Sequence, residues 1–246
     1  MHDFAPNFQG TQMLRFLLVA TTLLFATACS TQPKVIAPKP VIKSIAIIPA
    51  TSPANYTLEN VSAVQFVIPL AATFNYLDSK QKAKAFNEKL AARPPSLGPN
   101  FTDEVARSLR LLGYEVQILE GVLRPPGDLD NVDYAKIITT ANAVLHVQFT
   151  QVGLFSPRSS ANYIPRVNAY GTLFVVGRPD YLYDQQVYYG VDATSSALWS
   201  IPSDPKFAYT SFEAVLSNID EVQTAFQIGT QAIGKRIAEQ VHEAIK

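Results

Sequence analysis

The sequence predicts an α+β domain: a mixed sheet with an antiparallel meander, and helices packed on one face. Three observations carry this. Residues 143–155, 166–176 and 187–193 read as strands whose connecting loops are too short for crossover helices, so they pair antiparallel. An Ile-rich run at 44–49 (SIAIIP) reads as a buried first strand. From Asp220 onward, Val222, Phe226, Gly229, Ile233, Ile237, Val241 and Ile245 form one helical stripe that needs a sheet to cover.

The elements follow in order. Residues 51–56 read as a loop, and 61–77 are apolar but broken by Pro69, with no period winning. Asp78-Ser79 cap a helix through Leu90 with Ala83, Phe86 and Leu90 on one face. RPPSLGP (93–99) breaks the chain. Asn100 then caps a helix carrying Phe101, Val105, Leu109 and Leu112, with Asp103 and Glu104 in its first turn and Gly113 ending it. Tyr114–Leu119 is a strand, RPPGD a turn, and Asp130 or Asn131 begins a helix through about Thr140. In the strand at 143–155, Leu145, Val147 and Phe149 share a face. GRPDYLYDQQ is a turn before the third meander strand, and a short helix at 211–218 precedes the long one. Gly229 and Gly234 inside that helix cost about 1 kcal/mol each relative to Ala, and permit close packing onto a sheet.

The beginning of the chain has a different character. Arg15 precedes the apolar run Phe16–Phe25, and the small residues Ala26, Thr27 and Ala28 follow, which is the layout of a secretory signal at 1–28. The run is too short to span a bilayer, which takes about 20 apolar residues. The first twelve residues add nothing to the pattern, so either Met1 or Met13 serves as the start, Met13 being the better fit. The only cysteine, Cys29, stands directly after the run, so no internal disulfide forms.

Ala26-Thr27-Ala28-Cys29 resembles a bacterial lipobox, in which the thiol is acylated and the signal is cut before it; Leu is the family's preference where Ala26 stands. The resemblance implies a lipid-anchored protein, and Ser30, in place of Asp, implies the outer membrane. An ordinary signal followed by an incidental cysteine is the alternative. Residues 29–43 then form a tether with Pro33, Pro38 and Pro40, reaching roughly 40 Å at about 3.1 Å per residue. Residues 44–246 form a single periplasmic domain with an insertion near 55–99.

KSIAIIPA, ARSLRLLGYEV, ANAVLHVQFTQVG and ALWS, in that order, resemble bacterial lipoproteins whose periplasmic domain has an anticodon-binding-like core. The group includes the curli-secretion lipoprotein, the outer-membrane activators of penicillin-binding proteins, the amino-terminal domain of the Tol-system propeller protein, and small GNA-type or DUF799-like lipoproteins. The resemblance implies a non-catalytic domain that binds an envelope protein or itself. A subunit of an oligomeric export complex is the alternative, with 61–77 facing a neighbour or the bilayer.

Composition excludes other classes. Lys+Arg and Asp+Glu both number 20, so the basic footprint of a nucleic-acid binder is missing. No Walker loop, dinucleotide fingerprint, Gly-x-Ser-x-Gly elbow or His-x-x-x-His pair occurs, so no cofactor, metal or catalytic set is expected. His146, flanked by Leu145 and Val147, reads as structural, and His242 as lying on the polar side of the last helix. Asp128, Asp130 and Asp133 lack the Gly and Glu of an EF-hand loop and read as caps. The hairpin holding Arg178, Tyr181, Tyr183, Tyr188 and Tyr189 is the candidate partner-binding surface, since Tyr and Arg dominate interface hot spots; cross-strand packing is the competing explanation. Trp199 reads as a core or sheet-end plug.

Overall fold

A computed structural model describes residues 40–61, 71–125, 131–158, 160–178, 180–193 and 197–246, with side chains of the first helix described from Asp78 onward. The signal, Cys29 and most of the tether lie outside the described residues, as do Asp128, Asp130 and much of 61–77. Residues 40–246 form one compact unit.

The spine is β4 (Ala143–Ser156), paired antiparallel with β5 (Ile164–Phe174), which pairs antiparallel with β6 (Tyr181–Gly190). This is the expected meander. The other edge of β4 is shared. β1 (Ser44–Ile48) runs parallel to its first residues, from Ala143 to His146, and β2 (Thr57–Asn60) parallel to its last, from Gly153 to Ser156. β3 (Glu115–Ile118) lies parallel outside β1, and the two-residue β7 (Ser200–Ile201) parallel outside β6. The sheet is mixed, as the sequence predicts.

Four helices cover one face: α1 (Ala71–Ala91), α2 (Leu97–Leu111), α3 (Phe212–Ser217) and α4 (Ile219–Ile245). The α4 stripe is buried from Val222 through Val241 and meets Val167, Ala169 and Leu173 of β5 in one core. Full burial of a side chain the size of Phe226 contributes about 1.5–3 kcal/mol. Gly229 sets how closely α4 approaches the sheet, because a Cβ there would stand 2.6 Å from the Tyr189 ring. The cost of glycine in a helix is offset by this close packing.

Among the described residues, the other face is covered at one corner only. Leu119, Val132, Tyr134 and Ile137 pack on Ala46, Ile48, Val144 and Phe174. Beyond that corner it is polar, and Arg166 holds it together. The guanidinium bonds Glu59 Oε2 at 3.2 Å and Asp192 Oδ1 at 2.9 Å, and lies over the Phe155 ring at 4.0 Å. Asn168 Nδ2 donates to Asp192 Oδ2 at 2.8 Å.

Several boundaries differ from expectation. α1 begins at Ala71, not at Asp78-Ser79, so that pair lies within the helix; Asp78 pairs with Lys82 at 2.7 Å. α2 begins at Leu97, since Pro99 is tolerated in a first turn, so Asn100 does not cap it and Asp103 and Glu104 fall in the second turn. The helix expected to run from 130 or 131 to 140 is only a single 3-10 turn, Tyr134–Lys136. The β-branched run Ile137–Thr140 disfavours a helix, and Val132, Tyr134 and Ile137 are drawn onto the sheet. β6 starts at Tyr181, inside the segment read as a turn, because Tyr183, Val187 and Tyr189 alternate into the core. Residues 55–99, read as an insertion from the sequence, carry β2 and α1; β2 has no strong local signal.

Candidate functional site

β6 is half-covered on its outer edge. β7 pairs only with Tyr188 and Tyr189, and among the described residues no strand pairs with Tyr181–Val187 on that side. The Tyr188 N–H donates to the Trp199 carbonyl at 2.9 Å, which shows that its main-chain groups point outward. By the two-residue repeat of a strand, those of Gln186 and Asp184 face the same open edge. Such an edge is a template for an added strand.

Alongside it runs a groove of about 730 Å³ between β6 and α4, whose walls include Tyr183, Gln185, Leu198, Trp199, Arg236 and Gln240. The Leu198-Trp199 turn is fastened to α4, since Arg236 and Gln240 both donate to the Leu198 carbonyl, the second at 3.3 Å. Trp199 meets Tyr188 edge-on, with ring centroids 5.3 Å apart. This fastening leaves the two apolar side chains outside: Leu198 is 82% exposed and Trp199 41%. At the floor, the Tyr183 hydroxyl donates to Gln240 Oε1 at 2.7 Å, and burial pushes its phenol well above the usual range, so it stays neutral. The groove offers apolar area beside a strand edge unpaired among the described residues, which is the chemistry of peptide capture.

The five hairpin residues do not form one patch. Tyr183 and Tyr189 are buried beneath α4, Tyr188 is half-buried beside Trp199, and Arg178 and Tyr181 are exposed at the β5–β6 turn. Trp199 sits at a sheet edge, as a plug would, but is not core. Leu198, Gln185, Arg236 and Gln240 were not foreseen. The i, i+4 spacing of Arg236 and Gln240 on a helix was the readable clue, but the partner turn is separated from it by more than thirty positions.

The histidines have structural partners. His146 is 4% exposed; its Nδ1 lies 2.9 Å from the Tyr134 hydroxyl, and burial first, then the Arg124 charge, lowers its pKa to about 4. His242 Nδ1 lies 2.7 Å from the Tyr114 hydroxyl. Asp133 caps the 3-10 turn by accepting from the Ala135 N–H at 3.1 Å. No three His, Cys, Asp or Glu side chains converge on a metal site among the described residues.

No family model and no curated protein matches the chain. Among solved structures, it is similar to protein XCC0632 from Xanthomonas campestris, of family DUF330, at 10% identity over 87% of this chain and 90% of that one, with a TM-score of 0.40. The hypothetical protein CT253 from Chlamydia trachomatis is similar at 12% identity over 82% of this chain and 98% of that one, with a TM-score of 0.32. Lipoprotein GNA1162 from Neisseria meningitidis is similar at 17% identity over 63% of this chain and 87% of that one, with a TM-score of 0.28. No described helix is long and apolar enough to cross a membrane.

Proposed function

We propose that the chain is an outer-membrane lipoprotein, acylated at Cys29, whose periplasmic domain takes up an extended segment of another envelope protein along the open edge of β6, without catalysis. The observation that carries this reading is the edge itself: outward main-chain groups at Asp184 and Gln186 beside a groove with exposed Leu198 and Trp199. An added strand gains backbone hydrogen bonds from the edge and side-chain burial from the groove. The order Arg15, apolar run, Ala26-Thr27-Ala28-Cys29 supports the anchor.

A photo-crosslinking residue at Gln185, followed by mass spectrometry of the product from cells, tests the site. Gln186→Pro removes one outward N–H without touching the β5 ladder. Crosslinks to an envelope protein that disappear with Gln186→Pro and with Trp199→Ala support the reading. Crosslinks that ignore both substitutions overturn it, and crosslinks to the same chain would make the occupant a second copy. Separately, Cys29→Ser releases the protein from membranes if the anchor is correct; retention without acyl label refutes it.

A further inference from the structure

We infer that the end of the domain bearing the tether rests on the phospholipid surface. The inference depends on the anchor proposed at Cys29, and concerns a surface apart from the groove. One end of the sheet is marked by Glu115 of β3, Ser44 of β1, Ala143 of β4, Phe174 of β5 and Tyr181 of β6, which the strand registers place in neighbouring rows. Four of the nine large exposed apolar side chains among the described residues lie within four positions of that row: Val41 (77% exposed), Leu111 (75%), Val176 (47%) and Tyr181 (53%). They come from the tether junction, the end of α2 and the β5–β6 turn, so no single sequence stretch accounts for them. The loops at the opposite end, 157–163, 190–193 and 202–204, carry none among the described residues.

The charges fit a phosphate-bearing surface. Lys43, Arg110 and Arg178 are exposed at this end against Glu115 and Asp180; Arg110 also donates to the Val116 carbonyl at 3.1 Å, and Lys246 is paired with Glu243 at 3.0 Å. Long cationic side chains can lay their stems along an apolar layer and hold their heads at phosphate level. Chain length decides the orientation. The eleven steps from Cys29 to Pro40 span at most about 40 Å even when fully extended, whereas the fourteen residues of β4 extend about 46 Å. The far end therefore cannot come down to the bilayer, and the tether-bearing end is the one within reach.

The test uses the full chain made in a Gram-negative host and reconstituted into phosphatidylethanolamine–phosphatidylglycerol vesicles. Cys29 is the only native cysteine, so once it is acylated a thiol-reactive fluorophore labels only an introduced residue. With Val176→Cys, brominated lipids should lower the label's emission about two-fold, because interfacial contact buries side chains by about 5–10 Å. With Ala161→Cys, on the opposite loop, emission should not change. Adding Leu111→Asp to Val176→Cys should restore at least half of the lost emission, since Leu111 is exposed and its replacement spares the core. Absence of quenching at both sites, or equal quenching at both, overturns the inference. A second label on the peptide carrying Cys29 overturns it at its root, and identifies the missing anchor as the reason.

Discussion

On the face beneath α4, β5 presents Val167, Ala169 and Leu173, all fully buried; on the opposite face the same strand presents Arg166, Asn168 and Thr172, between 3% and 8% exposed. One face is closed by apolar packing, with Gly229 allowing close contact. The other is closed by a guanidinium, two carboxylates and an amide. Both solutions leave remainders: His146 Nε2, Gln148 Oε1, Arg166 Nε and Asn168 Oδ1 on the polar side, and the Tyr189 and Tyr209 hydroxyls and Thr230 Oγ1 on the packed side, are buried without a hydrogen-bond partner among the described residues. Arg166 Nε does stand 2.7 Å from Asp192 Oδ2, so it keeps the charge attraction but is out of line for a hydrogen bond. Equal burial thus conceals unequal tolerance: the packed face resists acid, and the polar face does not.

The largest effect is expected where packing alone acts. Phe226→Ala, opposite Tyr56 at 5.7 Å, should cost about 3–5 kcal/mol in urea unfolding. Next comes acid. His146 is neutral when folded, with a pKa lowered to about 4 from 6.5, so above pH 6.5 it contributes no pH dependence. As pH falls from 6.5 towards 4 only the unfolded chain takes up this proton, and stability drops by about 3 kcal/mol; His146→Gln should remove that acid limb. The packed face fails in the other direction. Burial raises the phenols of Tyr56, to about 12, and of Tyr183 and Tyr209, so stability is full below pH 10 and is lost as pH rises above it.

Arg166→Met should cost about 2–3 kcal/mol, short of the 3–5 of a fully buried pair, because Asp192 and Glu59 keep 27% and 45% exposure and can rehydrate. Tyr183→Phe, which removes only the bond to Gln240, should cost about 1 kcal/mol. Leu198→Ser should change stability by less than about 0.5 kcal/mol while abolishing crosslinks at Gln185. A large stability loss there would mean that the exposed turn belongs to the core.

The packed face was the legible one. Phe101, Val105 and Leu109, the α4 stripe, and Leu145, Val147 and Phe149 are local periodicities that a sequence displays directly. The polar face was not legible, because Glu59, Arg166 and Asp192 are far apart in sequence and meet only through the pairing of β2, β4, β5 and β6. β2 illustrates the same difficulty: TLEN has no apolar repeat, and is a strand only through its pairing with Gly153–Ser156 of β4, about a hundred residues away. The groove was legible only as an excess of tyrosine near β6, and which tyrosines remained exposed was decided by α4.

The position of α4 in the chain has a kinetic consequence. The helix that closes the core over β5 and β6 is the last described element, Ile219–Ile245. The meander can assemble from near neighbours in sequence, but β1 must wait about a hundred residues for β4, and the apolar face of β5 and β6 lacks its covering helix until residues 219–245 have been made. A chain cut short before residue 219 would display Val167, Ala169, Leu173 and Val187 to any surface it met. A folding chaperone would be needed most during that interval, and a protease would find there its best opportunity.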